Sequence, residues 1–242
     1  MLNIGVIGCG AIGRDHIRRL TDLVPGCQVV ACADYFEEAA IKVAAQYEGM
    51  KAYKTGEELI AAPEVQAVVI TSSDPSHAGY VLEALKAGKQ VFCEKPLAKT
   101  IEDCEEIEKA VAENGNKCFT VGFMRRFDPS YAEAKEKIRA GAIGKPILFK
   151  GVSLDPSSVL EAHLEGVKKG IYVPWFIEMG SHDTDLARWF LEGDPVDSFA
   201  TGDAYVCTGL ADYNDYDNGF SLTKFDNLSL IHISEPTRHA QI

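Results

Sequence analysis

The chain lacks any apolar run of about 18 residues, the length a membrane-spanning helix needs, so no span is expected. Its opening MLNIGVIG lacks the basic stretch of a signal peptide and reads as a strand. Positive charge is scarce. There are 24 Lys and Arg against 36 Asp and Glu, a formal net charge of -12. That surface disfavours nucleic acid and anionic membrane as partners, yet leaves room for an anionic ligand held locally by backbone N–H groups. The seven cysteines (Cys9, Cys27, Cys32, Cys93, Cys104, Cys118 and Cys207) lack CxxC or zinc spacing, and an odd count disfavours a full disulfide framework. They read as reduced core residues of a cytoplasmic protein, with no metal site. No internal repeat or low-complexity tract is present. With 46% apolar and 25% charged residues, the composition is that of a folded globular chain.

Up to about residue 122, short apolar runs alternate with helical patterns. The runs are Asn3–Ile7, Gln28–Ala33, Ala67–Thr71, Gln90–Cys93 and Cys118–Val121. The helical patterns are Ile12–Leu23, Phe36–Tyr47, His77–Ala87 and Ile101–Glu113. Runs apolar on both faces suit buried parallel strands, and the alternation implies right-handed crossovers in an α/β, doubly wound Rossmann sheet. After Gly122 the rhythm changes. Asp128–Ala140 and Ser181–Leu191 read as helices, and Ile147–Ser153, Val196–Cys207 and Phe220–Phe225 as strands; Leu154–Pro174 reads as loop-rich. This second region is expected to be an α+β domain with a mainly antiparallel sheet. The expected domains are a Rossmann domain, 1–122, a partial substrate and oligomerisation domain, 123–227, and a non-native tail, 228–242.

Within the first region lies Gly8-Cys9-Gly10-Ala11-Ile12-Gly13, after a strand and at the start of a helix, with Asp34 21 residues after Gly13. This context makes a GxGxxG motif informative. Gly8 permits the tight turn, Gly10 lets a diphosphate approach the backbone, and Gly13 lets helix and strand pack closely. The helix N-terminus then offers N–H groups to the phosphates at Gly10, Ala11 and Ile12. A carboxylate at Asp34 suits the adenosine ribose hydroxyls and repels a 2′-phosphate, and neither Tyr35 nor Phe36 supplies an Arg to receive one. NAD rather than NADP is the expected cofactor. The alternative is a βα turn that simply needs glycine.

Four segments, GCGAIGRDH (8–16), SSDPSHAGYVLEALKAGKQVFCEKPLA (72–98), VGFMRRFDPSYAEAK (121–135) and MGSHDTDLARW (179–189), together resemble the glucose–fructose oxidoreductase, inositol dehydrogenase and rhizopine catabolism family (Gfo/Idh/MocA). The GFMRRFDPSY segment is most similar to its inositol 2-dehydrogenase branch. The resemblance implies an NAD-dependent oxidoreductase that oxidises a secondary alcohol of a cyclic polyol, or of another sugar, to a ketone. It implies substrate between two domains and a homo-oligomeric parent. The family's catalytic lysine matches Lys95. Its substrate-binding acid and catalytic histidine match Glu178 and His182, where Glu departs from the more frequent Asp. Glu94 and the loop Ser72, Ser73, Pro75 and His77 match positions along the cofactor, and Arg125 and Asp155 match substrate-facing positions. Leu154 replaces the Arg of the family's Arg-Asp-Pro tripeptide.

Elementary chemistry fits these roles. Alcohol oxidation needs a base for the hydroxyl proton, and an imidazole with an ordinary pKa of about 6.5 suits it. On a helix, Glu178, His182 and Asp185 share one face, so a carboxylate can orient the ring. By spacing alone, His182 equally suits buttressing a helix start. Lys95 falls at the end of a parallel strand, where such sheets bind ligands, although most lysines in such loops are plain surface residues. Ser73 or Asp74 suits a helix cap as well as a cofactor loop. Arg126 suits a structural ion pair with Asp128. Trp175 and Phe176 read as core or interface residues.

The resemblance ends at Asn227, and the tail LSLIHISEPTRHAQI matches nothing recognised in the family. A truncated end is therefore expected, with an exposed sheet edge, poor order beyond about residue 200 and low solubility. An NAD-binding fragment without catalysis is the alternative reading.

Overall fold

The computed structural model describes residues 1–115, 118–227 and 229–236. The chain divides into two compact units, 1–122 and 123–242.

The first unit runs β1 (Leu2–Ile7), α1 (Ala11–Asp22), β2 (Cys27–Ala33), α2 (Glu37–Ala44), β3 (Lys51–Tyr53), α3 (Gly56–Ala61), β4 (Ala67–Ile70), α4 (His77–Lys86), β5 (Gln90–Cys93), α5 (Ile101–Glu113) and β6 (Phe119–Val121). The strands form a parallel sheet in the order β3-β2-β1-β4-β5-β6. Strand order reverses between β1 and β4, so the loops after these strands diverge to opposite sides and open a crevice at their carboxyl ends. The sheet separates two apolar layers. Ile17, Val43 and Val69 belong to the layer under α1 and α2. Leu59, Val81, Leu85 and Ile107 belong to the layer under α3, α4 and α5. The sequence reading omitted β3 and α3, which are too short to show a period. Thr55 caps α3 by accepting from Glu58 N, and Thr100 caps α5 by accepting from Asp103 N.

The second unit runs α6 (Pro129–Arg139), β7 (Leu148–Val152), α7 (Leu160–Lys168), α8 (Trp175–Leu191), β8 (Pro195–Asp203), β9 (Asn218–Phe225) and β10 (Leu230–Pro236). Its sheet has the order β7-β10-β9-β8. The pairs β10/β9 and β8/β9 are antiparallel, and β10/β7 is parallel. α8 covers one face, where its Ala187 and Leu191 meet Phe225, Ile231 and Phe149. The loop-rich stretch contains α7, and α8 begins six residues before the expected Ser181. Pro174 precedes its first turn, and the buried Asp215 carboxylate accepts from Trp175 N at 2.8 Å.

Residues 230–236 correct the expectation for the tail. They form a central strand between β7 and β9 rather than a poorly ordered tail with no place in the fold. Alternation explains the placement: Ile231 is buried against α8, whereas Leu230 faces outward. Leu228 and 237–242, also assigned to the tail, lie outside the described residues. Seven cysteines remain thiols. Cys9, Cys32 and Cys93 are buried as core residues, while Cys118 is exposed.

Candidate functional site: a dinucleotide cradle and a helix-borne acid and base

The turn from β1 into α1 has the backbone its glycines require. Gly8 takes φ +101°, and a β-carbon there would lie 2.5 Å from the Thr71 carbonyl. Thr71 Oγ1 donates to the carbonyls of Ile7 and Gly8, which binds the ends of β4 and β1 together. At Gly13 a β-carbon would meet the Gly8 carbonyl oxygen at 1.9 Å. Gly10 is different, because nothing lies within 4 Å of the space its β-carbon would fill. It is the N-cap of α1 and supplies no side-chain acceptor, so the first N–H groups of the helix point into a cradle with exposed Gly10, Ala11 and Ile12 at its rim. A diphosphate fits that donor set.

Asp34 stands at the end of β2. Its Oδ2 accepts from Cys9 N at 2.7 Å and its Oδ1 from Phe36 N at 2.9 Å, so the carboxylate joins the glycine turn to the next loop. It lines a cleft of about 370 Å3 together with Ile7, Tyr35, Lys54, Thr55 and Tyr80. Among the described residues no arginine lines this cleft, and its place beside the cradle suits an adenosine. A hydrogen bond with Cys32, and then burial, push the Cys9 thiol up.

The loops after β4 and β5 complete this side. Ser72 is half-buried, Ser73 and Pro75 are exposed, and a short 3-10 turn at Asp74–Ser76 leads into α4. Ser72 Oγ and Ser76 Oγ are 2.6 Å apart, and Ser76 Oγ donates to the Ser73 carbonyl. Neither Ser73 nor Ser76 makes a side-chain cap. His77 is buried, with Nδ1 2.7 Å from the Pro96 carbonyl and Nε2 3.1 Å from the Ser72 carbonyl. Glu94 ends β5. Its Oε1 lies 2.7 Å from His16 Nε2 on α1, and its Oε2 accepts from Lys95 N. Lys95 follows, half-buried, with a cis bond to the buried Pro96.

In the second unit, Glu178 and His182 occupy successive turns of α8, both half-buried. Gly180 and Asp183 between and beside them are buried. Asp185, the third residue of the expected face, is taken up elsewhere. Arg126 grips it with Nε at 2.8 Å and Nη2 at 2.7 Å, and the same guanidinium lies 5.7 Å from the Trp189 ring centre. Asp128 is the N-cap of α6, accepting from Ser130 N, so the Arg126–Asp128 pair read from sequence is not formed. Arg125 is committed to Asp183 at 2.5 Å and to Ser153 Oγ at 2.9 Å, and Ser153 donates to the other Asp183 oxygen. Asp155 is half-buried in the loop after β7. Trp175 is buried against His163, whose Nε2 meets Asp215 Oδ2 at 3.0 Å.

Asp183, Ser153, His163 and Asp215 were missed by the sequence reading. The Arg125-Arg126 and Asp183/Asp185 doublets carried a signal, two charges of each sign in short spacing, but pairing across 58 or 59 residues cannot be read from one chain. Among the described residues, no three His, Cys, Asp or Glu side chains are placed to hold a metal, and no helix is long and apolar enough to cross a membrane.

Comparison with known proteins agrees with this layout. Residues 2–123 match the model of the GFO/IDH/MocA oxidoreductase family, NAD-binding Rossmann fold, and residues 131–240 match its C-terminal domain. That second match runs through most of the tail expected to have no counterpart. An inositol 2-dehydrogenase from Serratia proteamaculans is 41% identical over 196 residues, covering 81% of this chain and 56% of the relative. The chain thus spans about half the length of the curated relatives it matches. A myo-inositol 2-dehydrogenase structure from Lactobacillus plantarum superposes with a TM-score of 0.92 at 29% identity, over 99% of this chain and 70% of that one. The scyllo-inositol dehydrogenase of Lactobacillus casei, solved with NAD(H) and scyllo-inositol bound, gives 0.91 at 25% identity, over 99% and 71%. By both domain matches and by its glycine turn, the chain belongs to the GFO/IDH/MocA oxidoreductase family and carries its NAD-binding Rossmann fold.

Proposed function

We propose that this chain carries the machinery of an NAD-dependent dehydrogenase that oxidises a secondary alcohol of a cyclic polyol of the inositol type to a ketone. The observation that carries the reading is the uncapped N-terminus of α1 at Gly10, with open space for a diphosphate, beside the cleft that Asp34 lines. The names of the relatives supply the substrate class.

When bound, NAD supplies the acceptor for the hydride that leaves the carbinol carbon. Gly10, Ala11 and Ile12 hold the diphosphate through N–H groups, and Asp34 holds the adenosine ribose. Ser72, Ser73 and Pro75 line the path toward the reacting end. His182 takes the hydroxyl proton, Lys95 hydrogen-bonds the reacting oxygen and steadies its developing charge, and Glu178 binds a neighbouring hydroxyl. Arg125 serves mainly by fixing Asp183, the neighbour of His182, through an ion pair and a shared serine. Asp155 is a further substrate contact. The full-length protein is proposed to be a cytoplasmic homo-oligomer.

The test is NAD reduction over a panel of inositols and simple sugars, with Lys95→Ala and His182→Ala as controls. Turnover is expected on at least one inositol and should fall by about 100-fold or more in each variant. Unchanged rates in both variants would defeat the site assignment. NAD binding without turnover on any polyol would leave the inactive-module reading.

A further inference from the structure

His77 is placed to do something other than touch the cofactor. It is 1% exposed, so no ligand reaches its ring without displacing protein. Its two nitrogens span two loops. Nδ1 is 2.7 Å from the Pro96 carbonyl, in the loop that carries Lys95, and Nε2 is 3.1 Å from the Ser72 carbonyl, in the cofactor loop. The β4/β5 ladder ends at Ile70 and Cys93, with one more bond from Glu94 N to the Ile70 carbonyl. Past that point the two loops leave the sheet and need another link to keep their spacing. Carbonyl oxygens only accept, so the ring acts through N–H donation, and the shorter contact marks Nδ1 as the donor to Pro96. The ring belongs to the first residue of α4, directly after Ser76 and the 3-10 turn.

We infer that His77 is a positioning residue. Its ring, rooted where the cofactor loop enters α4, donates from Nδ1 to the Pro96 carbonyl and so ties the loop that carries Lys95 to the cofactor loop, which sets the distance between the Lys95 ammonium and the reacting end of the cofactor. This rests on the dehydrogenase reading for its catalytic consequence, although the clamp stands on geometry alone. Placing the lysine wrongly by about 1 Å is enough to cost on the order of 100-fold in rate.

Two polar variants separate the two contacts. Asn places its amide nitrogen where Nδ1 sits and keeps the bond to Pro96. Gln reaches toward Nε2, away from Pro96, and loses that bond. Both are compared with the parent for kcat, for the KM of NAD, and for reductive methylation of Lys95 relative to the exposed Lys99, read by peptide mass spectrometry. For H77Q the expected result is a kcat lower by about 100-fold with little change in the KM of NAD, and Lys95 methylated severalfold faster. H77N should restore both toward the parent. Equal kcat and equal Lys95 labelling in the two variants overturn the clamp. If the parent turns over no polyol, the dehydrogenase reading fails by itself, and the labelling ratio still decides whether His77 holds the Lys95 loop.

Discussion

Gly13 lies so close beneath Gly8 that a β-carbon on it would stand 1.9 Å from the Gly8 carbonyl oxygen. Gly10, three residues earlier, has nothing within 4 Å of the place its β-carbon would take. The two positions therefore answer different questions. Gly13→Ala should push α1 away from β1 and lower stability by about 2 kcal/mol or more, as overpacking against backbone does. Gly10→Ala should leave the melting temperature near the parent's and weaken NADH binding, because the methyl occupies the room a diphosphate needs. Thermal melts together with fluorescence titration of NADH separate the cases. Parent-like NADH affinity in Gly10→Ala would show that the cradle is not where the diphosphate lies.

Asp34 has a double role. Its two oxygens receive Cys9 N and Phe36 N, and it also faces the proposed adenosine cleft. Asp34→Ser should thus weaken NAD and loosen the turn together, while removing the repulsion that excludes a 2′-phosphate. The ratio of NAD to NADP affinity is expected to fall by on the order of tenfold or more. A parent that already prefers NADP would contradict the assignment.

The Arg126–Asp185 pair anchors the first residues of the second unit to α8. Asp185 is buried, and Arg126 offers it a two-pronged grip while lying over Trp189. A lysine supplies charge but neither the fork nor the planar face. Arg126→Lys should then cost nearly as much as Arg126→Met, about 1–3 kcal/mol by urea unfolding, discounted because the guanidinium is partly solvated. Full retention of stability in the lysine variant would reduce the pair to a simple charge contact.

Much of the fold was legible because its signals are local. The glycine turn, the buried run Ala67–Ile70 and the helix stop at Gly88 each occupy a few adjacent residues. Boundaries followed where a cap or a proline marks them, as at Asp128–Pro129. What escaped was decided at a distance. The start of α8 depends on Asp215, forty residues on, and the buried rank of Asp183 depends on Arg125 and Ser153. The tail was misjudged because LSLIHIS shows alternation but no motif, and a strand between two others is recognisable only once its neighbours are in place.

Asp217 gives the second unit a dependence on acid. It is fully buried, and burial alone raises its carboxyl. The N–H groups of Cys207, Tyr205 and Val206 and the Asn218 side-chain amide outweigh that and hold it below the usual carboxylate range. A carboxylate lowered on folding contributes stability above its unfolded pKa, and that contribution is lost as the pH falls through the folded value. The unit should therefore weaken below about pH 4, where the unfolded chain begins to take up the proton. Asp217→Asn should cost about 2 kcal/mol at neutral pH, since an amide accepts these donors less well than a carboxylate. It should also flatten the dependence at low pH. Both tryptophans, Trp175 and Trp189, lie in this unit, so their fluorescence during urea unfolding at several pH values reports on it alone. Parallel pH profiles for parent and variant would place the acid sensitivity at another carboxylate.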